Sequence, residues 1–342
     1  MKKWIFIFAL VLSFNALADV PSCGENCTYT LVQNNDDNDN PTYTLKVMPV
    51  DPSKPASVQE YEATCDGGCH TNAPWQANSS ITKLDIAEGI TSVGNRAFTY
   101  TRSIKEIILP EGLQTIGYAA FHRTGITSID LPSSLTEIGG NAFITKSLAQ
   151  VNGTLENLTS MGVRCFADTA LTDFVVPPYL KNLPDDSFNG KDDWTGYISP
   201  NFTNLYCPEA LAAQCVAAIA YRGDAAQVTS YDYKGGVYVI KDEDGNETYY
   251  LSGDSMKNGQ MCEGTLSECK KEALINRGVC SGNDCDAFVA ADNGGYLLKV
   301  GSKTYQNINA LLKGDYDRRR IYTIEEANFV AGDKNRVSIT YR

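Results

Sequence analysis

The sequence has few of the residues on which enzymes depend for catalysis. Its 342 residues include only two histidines, His70 and His122. Catalysis at neutral pH usually relies on a histidine, a reactive cysteine, paired carboxylates or a metal. The patterns H-E-x-x-H, G-x-S-x-G and G-x-G-x-x-G and the P-loop are all absent. We therefore predict a protein that is not an enzyme and has no cofactor. The alternative is a hydrolase with distant paired carboxylates, in which residues 231–342 carry the active unit.

The chain also lacks a long hydrophobic segment beyond its N-terminus. Residues 1–18 contain two lysines, an apolar run at 4–14 and small residues at 16–18, which is typical of a secretory signal peptide. Cleavage before Asp19 would move the formal charge from −12 to −14. Such an acidic chain is a poor match for nucleic acid, and no later run is long enough to span a membrane. We predict export to the cell surface or the medium, with the periplasm as an alternative.

No C-x-x-C pair occurs in the sequence, although it contains 11 cysteines. Cysteines of an exported chain favour disulfides, and zinc is a poor alternative without C-x-x-C spacing or more histidines. Ten of them fall into local pairs, and these disulfide candidates are Cys23 with Cys27, Cys65 with Cys69, Cys207 with Cys215, Cys262 with Cys269, and Cys280 with Cys285. The two N-terminal pairs can also cross-link to each other. Cys165 is left over, and we expect it to be a buried free thiol.

What the sequence does contain is a repeat between residues 81 and 188. Its most regular members are five phenylalanines spaced 23, 22, 23 and 22 residues apart, Phe98, Phe121, Phe143, Phe166 and Phe188. Each copy opens with apolar residues that alternate as in a strand, and a glycine precedes each of the first four phenylalanines by four positions, which predicts a tight turn. A period in the low twenties is typical of a solenoid, in which stacked coils bury one continuous core.

The pattern L-x-x-I-x-L-P followed by I-G-x-x-A-F on this period resembles the BspA-type leucine-rich repeats of bacterial surface proteins. Four copies fit closely, although the fourth has an extra residue near Asn152 and Gly153, and the fifth has Pro184 in place of the glycine. The resemblance extends roughly over residues 22–200. It implies a β-rich, right-handed leucine-rich-repeat solenoid that adheres to proteins or glycans of a host matrix or of neighbouring cells.

The flanking segments complete the predicted domain organisation, which is a signal peptide at 1–18, an N-terminal cap at 19–80, repeats at 81–190, a C-terminal cap at 191–230 and a small α+β unit at 231–342. Alternating β-prone runs at 28–32 and 42–47 predict a hairpin in the N-terminal cap. Pro208 before an alanine-rich run and Gly223 after it predict a helix in the C-terminal cap. We expect the last coil to be covered by three aromatic residues that follow the repeats, Trp194, Tyr197 and Phe202.

Local signals in residues 231–342 predict alternating hairpins and helices. Asp244-Gly245 lies between two β-prone runs at 237–241 and 247–251, which favours a hairpin. A second hairpin is expected at 296–306, and a final strand at 337–341. Capping boxes that begin at Thr265 and Thr323 predict a helix after each.

The outward-facing residues of the repeat strands are the candidate binding site. They alternate with the buried residues, so stacking should bring them into columns on one surface. The ten candidates are Lys83, Asp85, Glu106, Ile108, Ser128, Asp130, Gln150, Asn152, Asp173 and Val175. We predict an interaction or adhesion module that uses this surface. A plain solvated sheet face, in a purely structural envelope component, is the other interpretation.

The cysteine pattern gives a first testable prediction. Alkylation of the exported protein under denaturing conditions without reductant should modify one thiol per chain, because only Cys165 lacks a partner nearby in the sequence. Mass spectrometry of the intact protein measures the number. Ten or eleven modified thiols would contradict the disulfide framework and would reopen the metal-binding alternative.

Overall fold

The computed structural model describes residues 21–34, 39–65, 69–153, 155–184, 186–188, 203–219 and 227–276, together with five later strands whose backbone alone is described. Side chains of residues 65–70 are outside this description. The predicted signal peptide and the aromatic residues Trp194, Tyr197 and Phe202 also lie outside the described residues.

Six short strands precede the repeats, namely β1 Ser22–Gly24, β2 Cys27–Gln33, β3 Tyr43–Pro49, β4 Ala56–Val58, β5 Ala63–Cys65 and β6 Cys69–Thr71. Strands β2 and β3 form the predicted antiparallel hairpin, with Tyr29 opposite Val47. β3 then pairs in parallel with the first repeat strand, and β4 pairs in parallel with the second. The hairpin is therefore continuous with the repeat sheets.

Each repeat contributes a strand to each of two sides of the coil. The first side holds β7 Ile81–Ile86, β9 Glu106–Ile108, β11 Ser128–Asp130, β13 Gln150–Asn152 and β15 Asp173–Val175. The second holds β8 Ile90–Val93, β10 Thr115–Ile116, β12 Glu137–Ile138 and β14 Ser160–Met161. The described pairings between successive repeat strands are all parallel, and Thr115, for example, lies opposite Ser92 on one side and Glu137 on the other. The sequence therefore folds as a leucine-rich-repeat structure rich in β-strands.

An aromatic column fills the centre of the stack. Phe98, Phe121 and Phe143 are fully buried, and their ring centroids are 5.6 and 5.4 Å apart in stacked geometry. Phe166 and Phe188 extend the same column, as predicted. One further member was not predicted: Trp75 stacks on Phe98 at 5.1 Å and donates its indole N–H to the carbonyl oxygen of Ala97. Trp75 lies 23 residues before Phe98 and therefore occupies the corresponding position one coil earlier.

The repeated glycines have a different role from the one predicted. A positive φ is adopted by the residue two positions before the phenylalanine, such as Arg96 or Asn141, and not by the glycine. A Cβ at Gly117 would stand 2.7 Å from the backbone nitrogen of Asn95, and one at Gly139 would stand 2.5 Å from that of Tyr118. These positions need glycine because successive coils approach each other too closely there for any side chain.

The first repeat side continues into the C-terminal part of the chain. The elements that follow are β16 Asn204–Pro208, a 3₁₀ turn Glu209–Leu211, α1 Ala212–Ile219, β17 Gln227–Lys234, β18 Val237–Lys241, β19 Glu247–Tyr250, α2 Gly253–Lys257 and α3 Leu266–Asn276. β15, β16 and β17 pair in parallel, and β18 and β19 add the predicted hairpin. The helices at 212–219 and 266–276 agree with the sequence prediction. β17 runs across the domain boundary that we placed at residue 231.

The last described strands are β20 Phe288–Ala290, β21 Tyr296–Val300, β22 Lys303–Tyr305, β23 Ile324–Phe329 and β24 Val337–Tyr341. The hairpin of β21 and β22 and the final strand agree with the sequence prediction. The helix predicted after Thr323 is wrong, because residues 324–329 form a strand that pairs antiparallel with β24. A capping box is a local signal only, and ladder pairing with a distant strand satisfies the same backbone groups.

Three predicted disulfides are present in the structure. They join Cys23 to Cys27, Cys207 to Cys215, and Cys262 to Cys269. Cys165 is free and fully buried, as expected. The remaining candidates, Cys65 with Cys69 and Cys280 with Cys285, lie outside the residues whose side chains are described.

The aromatic column makes a testable prediction about stability. Phe121→Ala should lower the free energy of unfolding by about 3–5 kcal/mol, because the stacked rings on either side cannot close the cavity. Thermal unfolding measures the effect, at about 2–4 °C per kcal/mol in a domain of this size. Val163→Ala is the control, since this side chain is 49% exposed and its truncation should change stability by less than about 0.5 kcal/mol. Equal melting temperatures for the two variants would contradict the column.

Candidate partner-binding surface on the repeat strands

The structure places all ten candidate residues on one side of the solenoid. Each strand of the first repeat side buries its central apolar residue, for example Leu84, Ile107 and Ile129, and leaves the neighbouring residues in contact with solvent. The ten residues, none of which is buried, are Lys83, Asp85, Glu106, Ile108, Ser128, Asp130, Gln150, Asn152, Asp173 and Val175. We call this set the strand face.

Strand register arranges the strand face in two rows. Lys83 is opposite Glu106, and Asp85 is opposite Ile108. In the next strand pair, Ser128 lies opposite Gln150 while Asp130 lies opposite Asn152. The columns that the repeat predicted are therefore present within these strand pairs.

The acids of the strand face do not act as one negative patch. Glu106 pairs with Lys83 at 2.7 Å, and Asp85 pairs with Lys46 of the hairpin strand β3 at 3.5 Å. These two acids are therefore largely neutralised by lysines, although exposed pairs of this kind add little to stability. Lys46 was not among the residues predicted for this surface, because its strand lies outside the repeat.

Two acids of the strand face keep their negative charge beside neutral partners. Asp130 accepts a hydrogen bond of 2.7 Å from the side-chain amide of Asn152. Asp173 accepts one of 3.1 Å from the amide of Asn204 and one of 2.8 Å from the hydroxyl of Thr172. Both carboxylates are held in place by these donors, so the negative potential of the face is concentrated on the later strands.

Ile108 is the exposed apolar residue of the strand face. Its side chain is 42% exposed, although it is a large hydrophobic residue. Asp85 is its partner across the strand pair, and Asp130 occupies the equivalent position of the next repeat, 22 residues later in the sequence. A partner that touches Ile108 would meet an apolar contact near carboxylates, which is an arrangement typical of an interface centre with a polar rim.

The chain itself covers the last part of the strand face. A Cβ at Gly253 of α2 would stand 3.3 Å from the Cγ2 atom of Val175, so helix and strand are in close contact. Lys257 at the end of α2 donates a hydrogen bond of 3.1 Å to the carbonyl oxygen of Val151. Val175 is therefore an internal packing residue, and the open part of the face consists of the residues on β7, β9 and β11 and Gln150.

Two buried titratable side chains lie away from the strand face, in the turns around the aromatic column. His122 is 7% exposed, and its ring packs edge-on against Tyr100. Burial lowers the pKa of His122 to about 4, with further lowering by the positive charges of Arg123 and Arg102. Burial likewise raises the pKa of the Cys165 thiol far above its usual value. At neutral pH the imidazole is therefore uncharged and the thiol protonated.

Among the side chains that the structure describes, no group of three or more His, Cys, Asp or Glu residues is close enough to hold a metal ion. The helices within the described ranges include none that is both long and apolar enough to cross a membrane.

Comparison with known proteins locates the repeat within a family. A model described as "BspA type Leucine rich repeat region" matches residues 75–194 in six copies. The first matched copy begins at Trp75, which agrees with the position of this ring in the aromatic column. No curated protein matches the chain at a significant level.

Several solved structures are similar to the chain. A Treponema pallidum leucine-rich repeat protein, TpLRR, is 20% identical over 58% of this chain and 94% of its own, with a TM-score of 0.33. A leucine-rich repeat protein from Eubacterium ventriosum is 17% identical over 64% of this chain, with a TM-score of 0.32, and the pneumococcal vaccine antigen PcpA is 18% identical over 64%, with a TM-score of 0.33. The chain spans 48% and 53% of the lengths of these last two.

The buried imidazole leads to a prediction about pH. Because the pKa of His122 is about 4 in the folded protein and near 6.5 when unfolded, the unfolded state binds the extra proton between these values. Stability should therefore fall as pH decreases from about 6.5 to about 4. His122→Gln should show a smaller drop in melting temperature between pH 7 and pH 4.5 than the unmodified protein, since the acidic residues titrate equally in both. Identical pH profiles would contradict the low pKa.

Proposed function

Residues 75–194 are a BspA-type leucine-rich repeat region, and on that premise we propose that the protein is an exported interaction module that binds a macromolecular partner through the open part of the strand face. The observation that carries the proposal is the exposed Ile108, which lies opposite Asp85 on the paired strand and has Asp130 at the equivalent position of the next repeat. Rigid strands present a surface with little conformational entropy to lose on binding.

The charges of the strand face indicate the chemistry of the partner. Asp85 and Glu106 are paired to lysines, whereas Asp130, in the next repeat after Ile108, has no ion-pair partner among the described residues. A partner with an apolar side chain flanked by Lys or Arg would be complementary to this arrangement. An apolar anchor suits a protein better than a glycan. We accordingly place a protein of a host matrix or of a neighbouring cell first, and a glycan second.

Features outside the repeat support an exported location. The first 18 residues have the composition of a signal peptide. Three disulfides in the described part of the chain fit an oxidising compartment. We propose a secreted or surface-attached protein on these grounds, and the right-handed solenoid follows from the family resemblance.

The N-terminal hairpin is proposed as a cap for the first coil. Tyr29 of β2 meets the Trp75 ring edge-on at 5.3 Å, and Tyr61 meets it at 5.5 Å. The buried disulfide between Cys23 and Cys27 fixes the start of the same hairpin. A solenoid exposes apolar surface at its end unless such a segment covers it.

Binding is favoured over catalysis by the state of the titratable groups. The thiol of Cys165 is fully buried and protonated, and the neutral ring of His122 is 7% exposed. Neither is placed to attack a substrate from the strand face. An enzyme that uses residues 231–342, with the repeats as a targeting scaffold, stays the alternative, and a purely structural envelope role is the third.

The test compares two substitutions in the full-length protein. A panel of immobilised matrix proteins is first tested with the unmodified protein. For a matrix protein that binds it, Ile108→Ser should weaken the binding about tenfold, because the substitution removes the apolar centre of the interface. Val163→Ser is the matched control, since Val163 is similarly exposed at 49% but lies in a turn outside the strand face. Surface plasmon resonance gives both dissociation constants.

A charge substitution then separates the apolar and electrostatic contributions. Asp130→Lys should weaken the same binding and should change its dependence on salt, whereas Ile108→Ser should leave the salt dependence unaltered. If all three variants bound like the unmodified protein while keeping its melting temperature, the strand face would be ordinary solvated sheet, and the proposal would be wrong.

A further inference from the structure

A cleft of about 450 Å³ opens beside the turns that precede the strands β9, β11, β13 and β15. The chain segments that line it come from successive coils and include four cationic side chains, Arg102, Lys105, Arg123 and Lys146. Asp168 is the one acidic side chain of its lining. This concentration of positive charge is unexpected in a protein with a formal net charge of −12.

Two contacts within the protein hold the cationic side chains of the cleft in place. The guanidinium of Arg123 lies over the Tyr100 ring, 5.5 Å from its centroid, which fixes the direction of its charge. Gly125 is part of the lining of the cleft. Any side chain at this position would collide with the Lys105 ammonium and with the carbonyl oxygen of Arg102. The absence of a Cβ at residue 125 is therefore what lets Lys105 lie across the cleft.

Three of the four positive charges of the cleft have no ion-pair partner among the residues that the structure describes. Asp168 pairs with Lys146 at 3.9 Å. Among the residues that the structure describes, Arg102, Lys105 and Arg123 form no ion pair. Like charges gathered around one cavity repel each other, and a bound anion would convert that repulsion into attraction.

We propose that this cleft binds an acidic oligosaccharide whose sulfate or carboxylate groups are contacted by Arg102, Lys105 and Arg123. The volume of the cleft is within the range of small-ligand sites and far exceeds that of a single inorganic anion. The cations come from consecutive coils, which are about 4.8 Å apart. A chain of acidic sugar units laid along the solenoid axis can therefore meet one coil after another.

The lining favours a sugar over an acidic peptide. Peptides are commonly recognised by added strand pairing or by apolar anchors. The amide N–H groups of Lys105, Arg123 and Gly125 already donate to the carbonyl oxygens of neighbouring coils. Ile144 is the only apolar side chain of the lining, and it is fully buried. The cleft thus offers cationic side chains, but no backbone donors from these three residues.

A heparin-derived hexasaccharide is the probe for this site in the full-length protein. We expect it to bind with an affinity that falls as salt concentration rises. The double variant Arg102→Gln/Lys105→Gln should bind about tenfold more weakly, because two charge-assisted contacts are lost. An uncharged hexasaccharide of the same length should not bind. Isothermal titration calorimetry measures each constant.

A second double variant controls for net charge. Lys54→Gln/Lys181→Gln removes the same two charges, and both side chains are exposed and absent from the cleft lining. Equal weakening by the two double variants, or no binding of the hexasaccharide by the unmodified protein, would overturn the proposal. Tighter binding of a hexaglutamate peptide, weakened by the same cleft substitutions, would assign the site to an acidic peptide and would also overturn it. Ile108→Ser should leave hexasaccharide binding unchanged, because Ile108 is not among the residues that line the cleft.

Discussion

The structure depends on the close approach of the backbones of successive coils. Parallel strand pairing on two sides, together with amide-to-carbonyl hydrogen bonds such as Phe98 to Ala120 in the turns, links each coil to the next. At Gly117 and Gly139 the chains are so close that a methyl group has no room. Rings about 5–6 Å apart can then stack in the interior, because the backbone spacing and the thickness of an aromatic layer are compatible. The period, the glycines and the phenylalanines are all consequences of this one distance.

Much of the fold could be predicted from the sequence because the same weak strand pattern recurs in every repeat, and the copies together are informative. A single strand of three residues such as Ser128–Asp130 carries little information, yet five copies at a constant period identify it. Trp75 was missed as a member of the column because its residue type differs from the repeated phenylalanine. The repeated glycines were recognised, but their role was misinterpreted. The sequence shows that a side chain is excluded at these positions, but it does not show whether the cause is the φ angle or the close backbone of the neighbouring coil. The strand at 324–329 was missed because its partner lies beyond a local motif that suggested a helix.

The candidate site was predictable only in part, for a related reason. Strand alternation determines which side a residue faces, and none of the ten residues of the strand face is buried. The alternation of buried and exposed residues along a strand does not show which other segments of the chain pack against that strand. Lys46 neutralises Asp85 from the preceding hairpin, and Gly253 covers Val175 from a helix about eighty residues later. The turn-side cleft was not predicted either, because its cations occupy non-equivalent positions in their repeats and no single copy shows the cluster.

The irregular fourth copy of the repeat explains where the open part of the strand face ends. The extra residue there places Gly153 at a φ of +116°, directly after β13, where a Cβ would collide with the carbonyl oxygen of Leu131. β13 pairs with β11 but not with β15 in the described sheets, so its outer carbonyl groups are not all used in a strand ladder. The Lys257 ammonium, which also pairs with Asp254 at 2.7 Å, donates to one of these carbonyls, that of Val151. Unpaired backbone acceptors favour such a donor from another segment. The departure from the repeat pattern therefore leaves a carbonyl group to which α2 binds through Lys257, and the docked helix covers the later part of the strand face.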